Sequence, residues 1–122
     1  MSARILTVDD SASIRLTTNV ALSTAGYSVS EAVNGADGLA KAQAERFDLI
    51  VTDLNMPIMD GLTMIEELRK IPSQTGIPII FLTTESDAAL KTRAKNAGAT
   101  GWLTKPFDPE NLVKIVRKVL GK

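Results

Sequence analysis

Leu49-Ile50-Val51-Thr52-Asp53-Leu54-Asn55-Met56-Pro57-Ile58-Met59-Asp60-Gly61 decides the architecture of this 122-residue chain. Three apolar residues in unbroken succession suit a short strand covered on both faces, because a strand with one face in water would alternate. The strand runs into an acid, Asp53. Met56-Pro57 shapes a loop after it, and Asp60 and Gly61 stand where a helix begins, with Asp60 as its cap.

Working outward, the same pattern returns. Ile5-Leu6-Thr7-Val8 precedes this stretch and Ile79-Ile80-Phe81-Leu82 follows it. With two weaker runs, strands are expected at Arg4–Val8, Tyr27–Ala32, Asp48–Thr52, Pro78–Thr83 and Thr100–Thr104. Tyr27-Ser28-Val29-Ser30-Glu31 alternates, which marks an edge strand. Helical patterns fill the gaps. The last is the clearest: Asp108 as cap, Pro109 at the first helical position, then Leu112, Ile115, Val116 and Val119 on one face. Asp87 can cap the preceding helix, where Leu90, Ala94 and Ala97 share a face. Gly26 and Gly98 stand where helix ends need a left-handed residue. Strand–helix alternation with short connections predicts right-handed crossovers. The expected fold is α/β and flavodoxin-like, (βα)5, with a five-stranded parallel sheet of order 2-1-3-4-5 and helices on both faces. Length fits one domain, residues 1–122.

Composition excludes much chemistry. With no cysteine there is no disulfide, thiol nucleophile or thiolate metal site; with no histidine there is no imidazole base and no ordinary zinc site. Carboxylates, hydroxyls, lysine and oxygen-bound metal remain. Net charge is zero but uneven: residues 88–122 hold eight basic side chains against two acids, a surplus of +6 balanced by −6 in residues 1–87. That surplus suits solvated helix faces or a surface offered to an acidic protein, rather than nucleic acid. No apolar run approaches the ~20 residues that span a bilayer, and no signal peptide is visible, so the expected location is the cytoplasm, away from membranes.

Ligands of open α/β sheets sit beyond the carboxyl ends of the strands, where the order reverses. Here that point lies between the first and third strands, which end at Asp9-Asp10 and Asp53. The fourth strand ends in Thr83-Thr84-Glu85 and the fifth in Lys105-Pro106. Clustered carboxylates repel unless a cation intervenes. An oxygen-only ligand set favours a hard ion, and Mg²⁺ fits best.

Asp9-Asp10, the stretch Thr52–Gly61, Thr83-Thr84 and Lys105-Pro106-Phe107 together resemble the signature of response-regulator receiver domains, over essentially the whole chain and most closely the single-domain, CheY-like chemotaxis branch. The resemblance leaves no segment for an output domain. It implies that Asp53 accepts a phosphoryl group from a histidine kinase. Asp10, Asp53 and the backbone carbonyl of Asn55 would bind Mg²⁺, with Asp9 acting through a metal-bound water. Lys105 would pair with the phosphoryl oxygens, the bond before Pro106 would be cis, and Thr83 would donate its hydroxyl to the phosphoryl group. Trp102 would rotate as Thr83 moves, altering the surface of the fourth helix, fifth strand and fifth helix. Asn55 and Glu85 would tune the lifetime of the acyl phosphate. Such a protein catalyses only its own phosphorylation and dephosphorylation. The expected partners are a CheA-like histidine kinase and the flagellar motor switch, with a phosphatase as a further candidate; a monomer is expected.

Two other readings stay open. The chain could be a phosphorelay intermediate or phosphate sink outside motility. It could also be a Mg²⁺-dependent phosphohydrolase working through an aspartyl phosphate, since Asp53-Leu54-Asn55 faintly resembles the Asp-x-Asp of haloacid-dehalogenase-type phosphatases. Those enzymes place that motif after the first strand and need a larger chain. Nucleotide binding has no support, because no Gly-rich phosphate loop follows the first strand.

Overall fold

The structure is a computed structural model describing residues 3–72, 76–84 and 87–121. Five strands, β1 (Arg4–Val8), β2 (Ser28–Ala32), β3 (Leu49–Thr52), β4 (Ile79–Thr83) and β5 (Gly101–Thr104), alternate with five helices. These are α1 (Ala12–Thr24), α2 (Gly35–Ala44), α3 (Gly61–Leu68), α4 (Ala88–Asn96) and α5 (Pro109–Leu120). All strand pairs are parallel and the order is β2-β1-β3-β4-β5. That is the arrangement the sequence pattern predicts, with β2 at an edge. Four strands start one residue later than expected, at Ser28, Leu49, Ile79 and Gly101. Tyr27 shows one reason: its N–H donates to Leu22 O, 3.1 Å away, closing the end of α1 instead of joining the ladder.

Side-chain caps start every helix. Asp60 accepts from Thr63 N at 2.7 Å, Asp87 from Ala89 N at 2.7 Å and Asp108 from Glu110 N at 2.9 Å. Ser11 and Asn34 do the same for α1 and α2. Each such cap is worth about 1 kcal/mol. Gly26 and Gly98, at φ 99° and 102°, take the left-handed residue after α1 and α4.

The sheet separates two cores. Ile5, Leu49, Val51, Ile80 and Leu82 pack with Leu22 of α1 and with Leu112 and Val116 of α5. On the other face Leu6, Val8, Ile50, Ile79 and Phe81 pack with α2, α3 and α4. The helices on this second face are unequal. Of the eight residues of α3, Gly61, Leu62, Met64, Ile65 and Leu68 are buried, whereas α4 buries only Ala94 of nine. Leu90 and Ala97 lie partly buried against the same cluster. The carboxy-terminal end of α4 is held differently. Arg69, just past α3, donates to Ile77 O at 2.8 Å, Gly98 O at 2.9 Å and Ala97 O at 3.4 Å.

Candidate functional site

Parallel pairing of β1 with β3 sets Val8 beside Thr52 and so delivers the residues after them to one place. The N–H of Asp53 continues the ladder, donating to Val8 O at 2.9 Å. Asp9, Asp10 and Asp53 each then offer a carboxylate oxygen, and those oxygens lie within 4.8 Å of one another. Asp9 and Asp53 are buried, at 4% and 9% exposure, while Asp10 is exposed.

Lys105 completes the centre from the far side of the sheet. Its N–H donates to Thr83 O at 2.7 Å, which fixes the chain just beyond β5 against the end of β4. The Lys105–Pro106 peptide bond is cis. Lys105 Nζ reaches Asp9 Oδ2 at 2.8 Å and Asp53 Oδ2 at 3.2 Å, bridging the two buried acids. Burial pushes the Asp9 carboxyl above its ordinary range, and the hydrogen bond from Lys105 only partly opposes this. Burial also pulls on Lys105, downward, but its hydrogen bond to Asp9 and the charge of Asp53 outweigh that and leave it raised. Lys105 therefore stays charged at neutral pH.

The other oxygen of Asp53 is already committed: Oδ1 accepts from the N–H of Leu54 at 2.7 Å. Behind it, Thr52 Oγ1 donates to Asp53 O at 2.9 Å, and a Cβ on Gly61 would stand 2.1 Å from that carbonyl. Only glycine allows α3 to start so close to the acid. Asn55 lies exposed in the loop that follows.

Thr83 is fully buried at the end of β4. Trp102, in β5, is half-buried, its ring centroid 5.5 Å from that of Phe81, with Lys91 Nζ 5.7 Å from the tryptophan centroid. Lys91, Lys95, Ala99 and Trp102 line a shallow groove between α4 and β5. Glu85 lies outside the described residues. Two residues not singled out by the sequence pattern also belong to the site. Arg15 donates from Nη1 to Asp9 O at 2.7 Å and from Nε to Glu31 at 3.1 Å. Thr18 lines the space beneath the acids.

The donor set tests the expected Mg²⁺. Among the described residues, three carboxylates converge and no nitrogen or sulfur ligand accompanies them. A hard cation fits such a set.

Comparison with known proteins agrees with this geometry. The model of the response regulator receiver domain matches residues 5–117. Protein PilH of Pseudomonas aeruginosa is 38% identical over 119 residues, covering 98% of both chains. The chain spans 46% to 49% of the length of several other curated relatives, about half. Among solved structures, the chemotaxis protein CheY4 of Vibrio cholerae shares 45% identity at a TM-score of 0.93, covering 98% of this chain and 99% of that one. The receiver domain of the sensor histidine kinase PA1611 of Pseudomonas aeruginosa is 27% identical at a TM-score of 0.91, with full coverage of both chains, and holds a magnesium ion in its active-site cleft. By its family match and by these relatives, the chain belongs to the response regulator receiver domains.

Proposed function

We propose that this protein is a phosphorylation switch in which Asp53 is the acceptor, with a histidine kinase upstream and a protein target downstream. The observation that carries the reading is Lys105 Nζ held between Asp9 and Asp53 at the carboxyl ends of the strands. Leu54 N–H fixes Asp53 Oδ1, so Oδ2, beside Lys105, is the attacking oxygen. As the Oδ2–P bond forms, the P–N bond of the donor phosphohistidine breaks and its electron pair stays on the imidazole nitrogen. An ionised carboxylate needs no general base. Lys105 then follows the charge outward from Oδ2 to the phosphoryl oxygens as a compact cation. Asp10, Asp53 and the carbonyl of Asn55, with Asp9 acting through a water, are the groups that would hold Mg²⁺, which when bound neutralises charge between the attacking carboxylate and the phosphoryl group.

Thr83 is the hydroxyl that would answer the new phosphate, and Trp102 the aromatic that would move with it. The surface that would be affected is that of α4, β5 and α5, where Lys91 and Lys95 of the α4–β5 groove suit an acidic partner. We read the signal as chemotactic, on the 45% identity to the chemotaxis protein CheY4, and take the flagellar motor switch as the target from the resemblance to the CheY-like branch. A phosphorelay role outside motility shares the same chemistry. The phosphohydrolase reading finds no support, because the acceptor follows the third strand rather than the first. On this reading the protein is cytoplasmic and acts enzymatically only on itself; among the described residues, no helix is long and apolar enough to cross a membrane.

Incubation with Mg²⁺ and acetyl phosphate tests the acceptor. The mass should rise by one phosphoryl group, and neither Asp53→Asn nor metal-depleted protein should be labelled. Equal labelling of Asp53→Asn would falsify the assignment. Asp10→Ala should raise the thermal midpoint without metal, by relieving carboxylate repulsion, and should remove the stabilisation that Mg²⁺ confers on the wild type.

A further inference from the structure

Thr18 lies on the inward stripe of α1, one turn from Ile14 and one from Leu22, and is 2% exposed. Threonines in helices usually turn the hydroxyl back to the carbonyl four residues earlier. Thr17 and Thr92 do so, at 3.1 Å to Ser13 O and 2.9 Å to Ala88 O. Thr18 does not. Its Oγ1 is the one buried side-chain polar atom among the described residues with no hydrogen-bond partner in the protein. Leaving a buried hydroxyl unsatisfied costs about 1–3 kcal/mol, so the atom needs a partner.

The space it faces has polar walls. A cavity of about 10 Å³ lies between Thr18 and the carboxyl ends of β1 and β3, lined by Asp9, Asp53, Thr7, Val51 and Leu82. A single water needs about that volume and two to four polar neighbours. Thr7 Oγ1 already donates to Asn19 Oδ1 at 2.8 Å, and Arg15 is engaged with Asp9 O and Glu31. The carboxylates, which accept more than one hydrogen bond per oxygen, retain capacity.

We propose that this cavity is a single-water site: one water bound to Thr18 Oγ1 and donating to the inner faces of the Asp9 and Asp53 carboxylates. Thr18 is then a positioning residue for the acid centre, acting through that water. The inference rests on the receiver reading only in its consequence for Mg²⁺. A donor behind the carboxylates leaves their rim-facing oxygen lone pairs available, where a hard cation would be held. The same water cannot hydrolyse the acyl phosphate. Displacement at phosphorus is in line, so the attacking water must approach from the side opposite Asp53, at the rim.

Thr18→Val keeps the shape and removes the hydroxyl; Thr18→Ser keeps the hydroxyl. In metal-free protein, water-to-methyl cross-relaxation should show one long-lived water at Val51 and Leu82 in the wild type and in Thr18→Ser, and none in Thr18→Val. Mg²⁺ titrated by calorimetry should bind Thr18→Val three- to tenfold more weakly, and Thr18→Ser within twofold of wild type. No cross-peak in the wild type overturns the proposal, whether or not Thr18→Val folds. So does Thr18→Val binding Mg²⁺ as tightly as the wild type. If the wild type shows the water but binds no Mg²⁺, the receiver chemistry fails while the water site stands.

Discussion

Two helices on one face of the sheet are built to different standards. α3 buries most of its length, and its first residue, Gly61, rests on the carbonyl of Asp53, the proposed acceptor. α4 lies beside it with a single fully buried side chain, Ala94, and four cations or hydroxyls (Lys91, Thr92, Arg93 and Lys95) facing solvent. Local stability follows buried apolar contact. The difference therefore separates a helix that holds the site still from one that a modest free energy can displace. On the proposed function, a phosphoryl group on Asp53 would add about −2 charge, which would redirect Lys105 and Thr83 and leave α3 seated.

The comparison can be broken by mutation. Ile65→Ala in α3 should cost about 2–5 kcal/mol in urea unfolding. Gly61→Ala should cost somewhat less, about 1–3 kcal/mol, yet depress phosphorylation of Asp53, because its Cβ must displace the Asp53 carbonyl. Leu90→Ala in α4 should cost only about 1 kcal/mol, since its site is already half open, and should leave labelling by acetyl phosphate intact. A larger cost at Leu90 than at Ile65 would reverse the ranking of the two helices. Amide exchange sharpens the contrast: with Mg²⁺ and beryllofluoride, protection should change in α4 and stay constant in α3. The smallest expected signal is optical. Trp102 is the only tryptophan, and its emission should change with beryllofluoride through its contacts with Phe81 and Lys91.

Much of this was legible in the residues themselves. Unbroken apolar runs gave the parallel strands, and Asp60, Asp87 and Asp108 announced the helix starts, because both signals are local. The meeting of Asp9, Asp10 and Asp53 followed once the strand order was set. Other features depend on contacts between distant elements. Lys105 was expected on phosphoryl oxygens; the structure sets its charge between Asp9 and Asp53, two acids that would otherwise repel. Arg15 sits near the amino end of α1, where the helix dipole disfavours a cation, and only the carbonyl of Asp9 and the carboxylate of Glu31 explain it. Thr18 left a faint trace, a hydroxyl in the stripe between Ile14 and Leu22, but hydroxyls are common in helices. Nothing in the sequence marked Arg69, whose acceptors are backbone carbonyls.

Arg69 has a mechanical consequence. By gripping the carbonyls of Ala97 and Gly98 together with that of Ile77, it nails the trailing end of α4 to the start of the neighbouring strand. A rod fastened at one tip and lightly bedded along its length has one easy motion, a swing about the fastening. The largest arc is then traced by the opposite tip at Asp87, so a small displacement there becomes a tilt of the whole basic face.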